Sequence, residues 1–286
     1  MNNKNNKSGF VSIIGKPNVG KSSLINLLIN KNISIITYKS QTTRNKIIGI
    51  FNKKNLQIIY IDTPGIIIPK YLFQNFMMKS SSLILKNTDI ALVVIDVYQK
   101  YSSNFFRIFL KSKYKLLLIN KIDLIKKVEI NKIIKYWNKK ILVNKVITIS
   151  IIRKINIKSI LKNIINILPK KVIYYSSNII TNQSVNFFIC EIIRKKILLN
   201  YNKEIPYSTI IEVKNFKEYE KIIKINIEIN IERKNQKKII IGKNGKLLKK
   251  IGIESRKEIE KFFKKKVFLE QKIKILNNWK NKKIFN

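Results

Sequence analysis

The residues with the clearest chemical meaning form a short glycine-containing loop near the start of the chain. Gly15-Lys16-Pro17-Asn18-Val19-Gly20-Lys21-Ser22 matches the pattern GxxxxGK[ST] between a predicted strand and a predicted helix. In this pattern backbone N–H groups and a helix N-terminus surround phosphates, the lysine neutralises the β- and γ-phosphates, and the hydroxyl binds Mg²⁺. We predict that this loop and Ser23 bind a nucleotide, with Lys21 in a catalytic role and Ser22 as a metal ligand.

A second group of candidate residues follows the third predicted strand. Asp62-Thr63-Pro64-Gly65 supplies a carboxylate and a backbone amide after an apolar run. The carboxylate of Asp62 would hold Mg²⁺ through a water molecule. The Gly65 amide would sense the γ-phosphate and couple its loss to movement of the following loop. We therefore predict that the tetrapeptide binds nucleotide and that Gly65 contributes to catalysis.

A third motif, Asn120-Lys121-Ile122-Asp123, follows the fifth predicted strand. A carboxylate at Asp123 can accept hydrogen bonds from both the ring N–H and the exocyclic amine of guanine, and adenine cannot satisfy it. Because an unpaired buried carboxylate is costly, such a site rejects the wrong base strongly. Asn120, Lys121 and Asp123 therefore predict that the ligand is GTP or GDP.

A fourth motif, Gly242-Lys243-Asn244-Gly245, lies between two predicted helices. Glycine removes the side chains that would hold phosphates away, so this backbone can approach a nucleic-acid backbone closely. The alternative is a plain turn that joins two helices. The predicted RNA contacts are Ile241, Gly242, Lys243, Asn244, Gly245 and Lys246.

Hydrophobic patterning divides the chain into two parts. Up to residue 169, short β-branched runs alternate with helical stretches, which predicts an α/β domain with a mostly parallel sheet flanked by helices. Residues 170–182 are predicted to be a linker. The predicted strands are 10–14, 46–51, 56–61, 90–95, 115–119 and 145–149, and the predicted helices are 22–30, 72–86, 102–112, 127–138 and 156–168.

Residues 183–286 predict a second domain of the α+β class. A helix over 183–199 precedes two strands, and the second strand alternates Ile with polar residues from Ile223 to Ile231. A helix containing Leu248 and Ile259 and a strand over 267–275 follow the Gly242–Gly245 motif. The predicted order is helix, strand, strand, helix, helix, strand.

The composition makes these motifs more informative than the charge. The chain has 286 residues, with 59 Lys and Arg against 16 Asp and Glu, and a formal charge of +43. Such a charge is typical of proteins that bind nucleic acid or acidic membranes. However, the excess is mostly Lys and accompanies abundant Ile and Asn and no His, as codons rich in A and T would produce. Only eight glycines are present, and the motifs contain Gly15, Gly20, Gly65, Gly242 and Gly245.

The single cysteine and the short apolar runs indicate a soluble protein of a reducing compartment. Cys190 excludes an internal disulfide framework, and its expected place is in the core. The apolar run from Ile90 to Val97 is far shorter than the ~20 residues of a membrane span.

Together these motifs resemble the Era family of bacterial GTPases along nearly the whole chain. Further matching segments are 41–44 (QTTR), 204–208, 236–245 and 251–257. The resemblance implies that Thr43 binds Mg²⁺ beside Ser22, with Thr42 as the second choice, and that Thr43 acts in catalysis. It also implies a type II KH domain that binds the 3′ end of small-subunit ribosomal RNA during 30S maturation. A cytoplasmic monomer with attachment to the inner membrane would fit the family.

The chain departs from the family pattern at one position and lacks a catalytic glutamine. Relatives contact guanine through a Ser-Ala pair, whereas this chain has Ser150-Ile151, so we expect a backbone contact to the base there. Ile66 stands where some GTPases place a catalytic Gln, which predicts slow intrinsic hydrolysis driven by phosphate positioning. In related GTPases an Asn at the position of Asn18 helps to bind potassium, so a potassium requirement is a further hypothesis.

Three functional interpretations remain open from the sequence. The first is a GTPase switch in which the nucleotide state changes RNA engagement. The second is a GTP-dependent RNA-binding chaperone that has lost hydrolysis, and the third is a GTPase that its charge directs to a membrane surface. Intact nucleotide motifs favour the first.

Overall fold

The computed structural model describes residues 6–39, 42–67, 69, 71–107 and 112–281. Gln41 of the QTTR segment lies outside these residues. The described residues form two compact units. The first unit falls within 1–36, 43–70 and 74–182, and the second falls within 37–42, 71–73 and 183–286.

The first unit is built on a six-stranded sheet with the strand order β2-β3-β1-β4-β5-β6. All adjacent pairs are parallel except β2 and β3, which are antiparallel. The interior strands β3 and β4 are almost wholly buried, as expected for a sheet covered on both faces. The strands are Lys7–Ile14 (β1), Ile47–Lys53 (β2), Leu56–Asp62 (β3), Ile90–Asp96 (β4), Tyr114–Asn120 (β5) and Lys145–Thr148 (β6).

Helices connect these strands and place the predicted motifs at the carboxyl ends of β1, β3 and β5. An α/β sheet binds its ligand at this edge, because the loops that leave parallel strands converge there. The helices of the first unit are Lys21–Ile29 (α1), Leu72–Lys86 (α2), Ser103–Arg107 (α3), Lys127–Lys140 (α4) and Ile157–Ile167 (α5).

The sequence located the elements of this unit and misjudged some of their ends. The first strand begins at Lys7 rather than at residue 10, because Lys7 pairs with Leu56 on β3. The helix predicted over 102–112 is described as α3 from Ser103 to Arg107. Ser112 is not helical, and residues 108–111 lie outside the described part of the chain.

The segment predicted as a linker is hydrogen-bonded to the sheet of the first unit. The Ile50 N–H on edge strand β2 donates to the Ile180 carbonyl at 2.7 Å. The buried Gln57 side chain on β3 donates to the Tyr175 carbonyl at 2.7 Å and accepts the Tyr175 N–H at 3.0 Å. Part of 170–182 is therefore held against β2 and β3 by hydrogen bonds.

The second unit has the predicted order of elements. Its sheet order is β7-β8-β9, with β7 antiparallel and β9 parallel to β8. The alternating isoleucines of β8 form the core, although Asn230 on the face predicted to be wet is also buried. The elements are Val185–Asn200 (α6), Thr209–Glu218 (β7), Ile222–Ile231 (β8), Lys234–Ile241 (α7), Lys246–Phe263 (α8) and Lys266–Ile275 (β9).

Among the described residues, every helix is too short or too polar to span a bilayer.

Candidate nucleotide site and RNA groove

The phosphate-loop candidate joins β1 to α1, and two of its glycines are required by close packing. A Cβ atom at Gly15 would collide with the Val94 carbonyl. Gly20 caps α1 with a φ of 103°, and a Cβ atom there would lie 2.5 Å from the Asn120 amide nitrogen. Glycine at these positions therefore lets the loop close against β4 and β5.

The other residues of the loop differ in exposure. Val19 is buried, whereas Lys16 and Asn18 are exposed and Pro17 is intermediate. The Lys16 ammonium lies 5.7 Å from the centre of the Phe105 ring of α3. Ser23 occupies the first turn of α1 and is partly buried.

A second contact brings the segment after β3 onto this loop. A Cβ atom at Gly65 would lie 2.9 Å from Pro17, so glycine allows the two loops to touch. The Ile66 N–H donates to the Gly15 carbonyl at 3.1 Å. Thr63 is buried and donates its hydroxyl to the Ile13 carbonyl at 2.9 Å, and Pro64 is also buried. The first two motifs therefore form one structural site.

The predicted metal-binding groups converge on the carboxylate of Asp62. The Ser22 hydroxyl donates to Asp62 Oδ2 at 2.7 Å and lies 2.8 Å from the Thr43 hydroxyl. Thr43 is itself 3.5 Å from Oδ2. Asp62 is fully buried, and its Oδ1 atom has no hydrogen-bond partner among the described residues.

The geometry distinguishes Thr43 from its neighbour. Thr43 is buried and points to Ser22, whereas the Thr42 hydroxyl lies 2.7 Å from the Thr37 hydroxyl and donates to the Lys39 carbonyl at 2.7 Å. Thr43 is therefore the threonine that the structure brings to the nucleotide site.

Burial controls the ionisation of the two charged groups of this site. Desolvation lowers the pKa of Lys21 from 10.5 to about 8, and the nearby Asp62 partly opposes this shift. Desolvation likewise raises the pKa of Asp62, against the influence of Lys21 and of the hydroxyls of Ser22, Ser34 and Thr43. The Lys21 ammonium donates to the Lys16 carbonyl at 2.8 Å, which directs it along the loop. Ser34 was not predicted from the sequence.

The third motif is fastened to the phosphate loop. Asn120 is buried, donates to the Val19 carbonyl at 2.8 Å and accepts the Ile151 N–H at 3.2 Å. Lys121, with a φ of 68°, forms a 3.0 Å ion pair with Asp96 at the end of β4. The Asn120 side chain therefore links the third motif to the phosphate loop.

Asp123 is positioned by the side chain of Ser150, the residue at which the sequence predicts a backbone contact to the base. Its carboxylate is exposed and accepts a 2.5 Å hydrogen bond from the Ser150 hydroxyl. The Ser150 hydroxyl also accepts the Arg153 N–H at 3.1 Å. Ser150 is fully buried, and its hydrogen bond holds the Asp123 carboxylate in one orientation.

The residue in the position of a catalytic glutamine faces the interior. Ile66 packs against an apolar cluster that contains Phe105, Phe106 and Trp137. Its side chain therefore offers no polar atom to a water molecule at the nucleotide site.

In the second unit, Gly242–Gly245 form a sharp turn between α7 and α8. Gly242 has φ 71° and ψ 177°, and a Cβ atom there would lie 2.7 Å from the Cβ of Leu247. Lys243, Asn244 and Lys246 are exposed, while Ile241 and Gly245 are partly buried. The turn therefore presents charged side chains and a bare backbone to solvent.

A groove between α8 and β9 adds residues that sequence reasoning did not find. Its volume is about 240 Å³, and a Cβ atom at Gly252 would collide with the Gln271 amide. Phe268 is 55% exposed and Ile253 is 39% exposed, so the groove offers apolar surface beside cations. The lining residues are Lys249, Gly252, Ile253, Arg256, Val267, Phe268, Leu269 and Gln271.

The groove continues along α8 toward the turn. A second depression of about 380 Å³ is lined by Lys246, Lys249, Lys250, Ile253 and Glu254. Lys249 and Ile253 line both depressions. The groove residues recur at alternating positions on β9 and at helical spacing on α8, and this spacing was the sequence signal for a shared surface. Either pattern alone is also typical of an ordinary exposed surface.

Comparison with known proteins gives two domain families and a set of full-length relatives. Residues 10–147 match a family described as a 50S ribosome-binding GTPase, and residues 204–280 match the KH domain. The GTPase Era of Syntrophus aciditrophicus is 39% identical over 279 residues, which cover 96% of this chain and 91% of the relative. The GTPase Era of Fusobacterium nucleatum is 40% identical over 286 residues, covering 98% and 97%.

Solved structures agree with these relatives. A variant of Aquifex aeolicus Era bound to GDP and AlF4⁻ has a TM-score of 0.91 and 32% identity, covering 96% of this chain and 95% of that one. Era in complex with MgGDPNP and nucleotides 1506–1542 of 16S ribosomal RNA has a TM-score of 0.90, the same identity and the same coverage. With a P-loop GTPase unit followed by a KH unit, the chain belongs to the Era family of GTPases.

Proposed function

We propose that this GTPase binds the 3′ end of small-subunit ribosomal RNA through its KH unit and assists 30S maturation, with GTP and GDP setting its RNA affinity. The proposal divides the chain into a nucleotide domain over 1–169, a linker over 170–182 and an RNA-binding domain over 183–286. The related Era structure with 16S RNA supports this choice of ligand.

The nucleotide half of the proposal includes a magnesium ion. Two hydroxyls and one carboxylate, from Ser22, Thr43 and Asp62, are hard oxygen ligands of the kind that Mg²⁺ prefers. Asp62 Oδ1 is buried and has no hydrogen-bond partner in the described part of the chain, which fits a carboxylate that serves a bound cation or its water. The ion would neutralise charge on the β- and γ-phosphates, while Lys21 and the loop amides position them.

We propose that intrinsic hydrolysis is slow because the partly buried Ile66 packs against an apolar cluster and has no polar group to orient water. Single-turnover hydrolysis with and without RNA tests this point. Absence of hydrolysis in both conditions would favour the alternative, a GTP-dependent RNA-binding chaperone that has lost hydrolysis. Replacing potassium by sodium tests the cation site proposed at Asn18, and an unchanged rate would remove potassium from the proposal.

The observation that carries the RNA half is the groove beside the Gly242–Gly245 turn. Phe268 is an exposed aromatic ring on which a base can stack, and Ile253 adds exposed apolar surface beside it. Lys249 and Arg256 line the same groove. Single-stranded RNA is recognised by this combination of stacking surface and backbone charge. The glycines let an RNA backbone approach the turn.

The direct experiment measures binding of an RNA with the 16S 3′-terminal sequence at several salt concentrations. A GTP analogue and GDP should give different affinities, and a scrambled RNA and a large-subunit ribosomal RNA fragment should bind more weakly. Phe268→Ala should weaken specific binding about tenfold, because base stacking on an aromatic ring contributes about 1–3 kcal/mol. The matched control is Tyr219→Ala, since Tyr219 is also exposed but does not line the groove. Equal affinities with both nucleotides would refute the switch.

Cytoplasmic location, a monomeric state and peripheral contact with the inner membrane are part of the proposal. Light scattering of the purified chain tests the monomer. Binding to vesicles with acidic lipids that disappears at high salt would support the membrane contact, and binding to neither acidic nor neutral vesicles would remove it.

A further inference from the structure

A short loop after α1 is fastened to the helix by one buried amide side chain. Asn26 Oδ1 accepts the N–H groups of Ile33 and Ser34, each at 3.0 Å, and its Nδ2 donates to the Ser34 carbonyl at 2.7 Å. The helix itself ends at Ile29, and the residue that caps it, Asn30, adopts a left-handed conformation with φ 57°. Asn26 and Ser34 are 7% and 6% exposed, so these three hydrogen bonds form away from solvent. They fix the backbone of Ser34 relative to the helix that follows the phosphate loop.

The fixed loop delivers a hydroxyl to the nucleotide site. Ser34 Oγ donates to Asp62 Oδ2 at 3.1 Å, although 28 residues separate the two in the chain. The Ser22 hydroxyl donates to the same oxygen. One oxygen of the carboxylate therefore accepts hydrogen bonds from the protein, and the other, Oδ1, remains without a partner among the described residues.

Ser34 differs from the other hydroxyls near Asp62 in its second partner. Ser22 and Thr43 lie 2.8 Å apart and belong to the proposed metal-binding groups. Ser34 is instead tied by its backbone to Asn26, so its hydroxyl can hold the carboxylate whether or not a metal is bound. A hydrogen bond from a fixed donor orients a carboxylate and limits its rotation.

We propose that Ser34, fastened by Asn26, is a positioning residue that orients Asp62 and thereby sets the magnesium affinity of the nucleotide site. The inference rests on the magnesium site proposed above. It assigns Ser34 no contact with nucleotide and no proton transfer. Its effect is on metal binding, since a freely rotating carboxylate must be reoriented each time the ion or its water binds.

The test follows release of a fluorescent GDP from the full chain while Mg²⁺ is varied. Metal bound beside the β-phosphate slows nucleotide release, so the Mg²⁺ concentration for half-maximal slowing reports metal affinity. Ser34→Ala should raise that concentration at least about tenfold, the usual consequence of losing an outer-shell partner of a metal ligand. The release rate in excess EDTA should remain that of the parent protein. A purely structural role would not separate these two quantities.

The matched control is Ser12→Ala on β1. Ser12 is fully buried, and its hydroxyl lies 3.2 Å from that of Thr88, so the substitution also removes a buried hydroxyl. Its Mg²⁺ requirement should match that of the parent. The inference is overturned if Ser34→Ala keeps the parental Mg²⁺ requirement, if both variants shift equally, or if Ser34→Ala changes release in EDTA as much as in Mg²⁺. A parent protein whose GDP release ignores Mg²⁺ would instead refute the proposed metal site.

Discussion

The nucleotide site and the proposed RNA groove are built in opposite ways. Around the phosphate loop, buried side chains such as Asn120, Asp62 and Ser150 each form hydrogen bonds with groups of other elements. In the groove, exposed side chains such as Phe268 and Arg256 line a shallow surface, and Gly252 allows the Gln271 side chain of β9 to approach α8 closely. Loss of one member of a buried hydrogen-bond network leaves its partners unsatisfied, whereas binding in an open groove is shared among many weaker contacts. Single substitutions should therefore have larger effects in the first unit than in the second.

The largest expected effect is that of Lys21→Ala on nucleotide binding. Lys21 is 6% exposed and has no substitute in the loop, because the Lys16 side chain is exposed and its ammonium lies over the Phe105 ring. Loss of charge-assisted hydrogen bonds of about 1.5–3 kcal/mol lowers affinity by roughly 10- to 100-fold. Titration with fluorescent GTP and GDP measures the loss. Full retention of affinity, or competition by ATP equal to that by GTP, would contradict the proposed site.

Asp123→Asn should change the preferred base rather than abolish binding. The Asn amide nitrogen would face the exocyclic amine of guanine, so that two donors oppose each other. Xanthine has a carbonyl oxygen in place of that amine and can accept the hydrogen bond. GTP affinity should fall by about tenfold or more, and XTP should bind better than it does to the parent, because an unpaired polar group is costly. Competition between the two triphosphates measures the change. Unaltered selectivity would show that Asp123 does not read the base, despite its hydrogen bond to Ser150.

A smaller effect is expected from reversing charge at the turn of the second unit. Lys243→Glu combined with Lys246→Glu should lower RNA affinity about tenfold, and the slope of affinity against salt should fall by about two charges. GTP turnover in the absence of RNA should not change. The matched control, Lys224→Glu on β8, alters an exposed lysine that lines neither depression. An equal loss in the control would mean that overall charge, and not this turn, attracts RNA.

The smallest effect concerns the backbone of the turn. Gly245 has a φ of 73° and open space around it, so Gly245→Ala meets no clash and pays only the strain of a left-handed residue, about 1 kcal/mol. Gly245→Asn should cost less, because Asn tolerates this conformation, as Asn244 does with a φ of 51°. Urea unfolding followed by fluorescence of the buried Trp279, with Trp137 replaced by Phe in every protein, isolates the second unit. Equal costs for Ala and Asn would contradict the strain argument.

Much of the fold was predictable because local patterns record it. Alternating isoleucines from Ile223 to Ile231 predicted β8, and the strand and helix order of both units followed from period and turn residues. The ends of elements were less predictable, since pairing decides them. Lys7 joins β1 because Leu56 lies opposite, and the pattern of residues near Lys7 contains no such information.

The sequence by itself determined the chemistry of the nucleotide motifs, because their residues are consecutive and each spacing follows from the shape of a phosphate or a base. Only the tertiary structure showed that Ser34 and Ser150 hold the carboxylates of Asp62 and Asp123. The partners of each pair are far apart in the chain, and the sequence around a serine does not indicate which carboxylate it will contact after folding. The groove beside Phe268 is likewise a product of packing between α8 and β9, and in a chain so rich in Lys its cations could not be distinguished by composition.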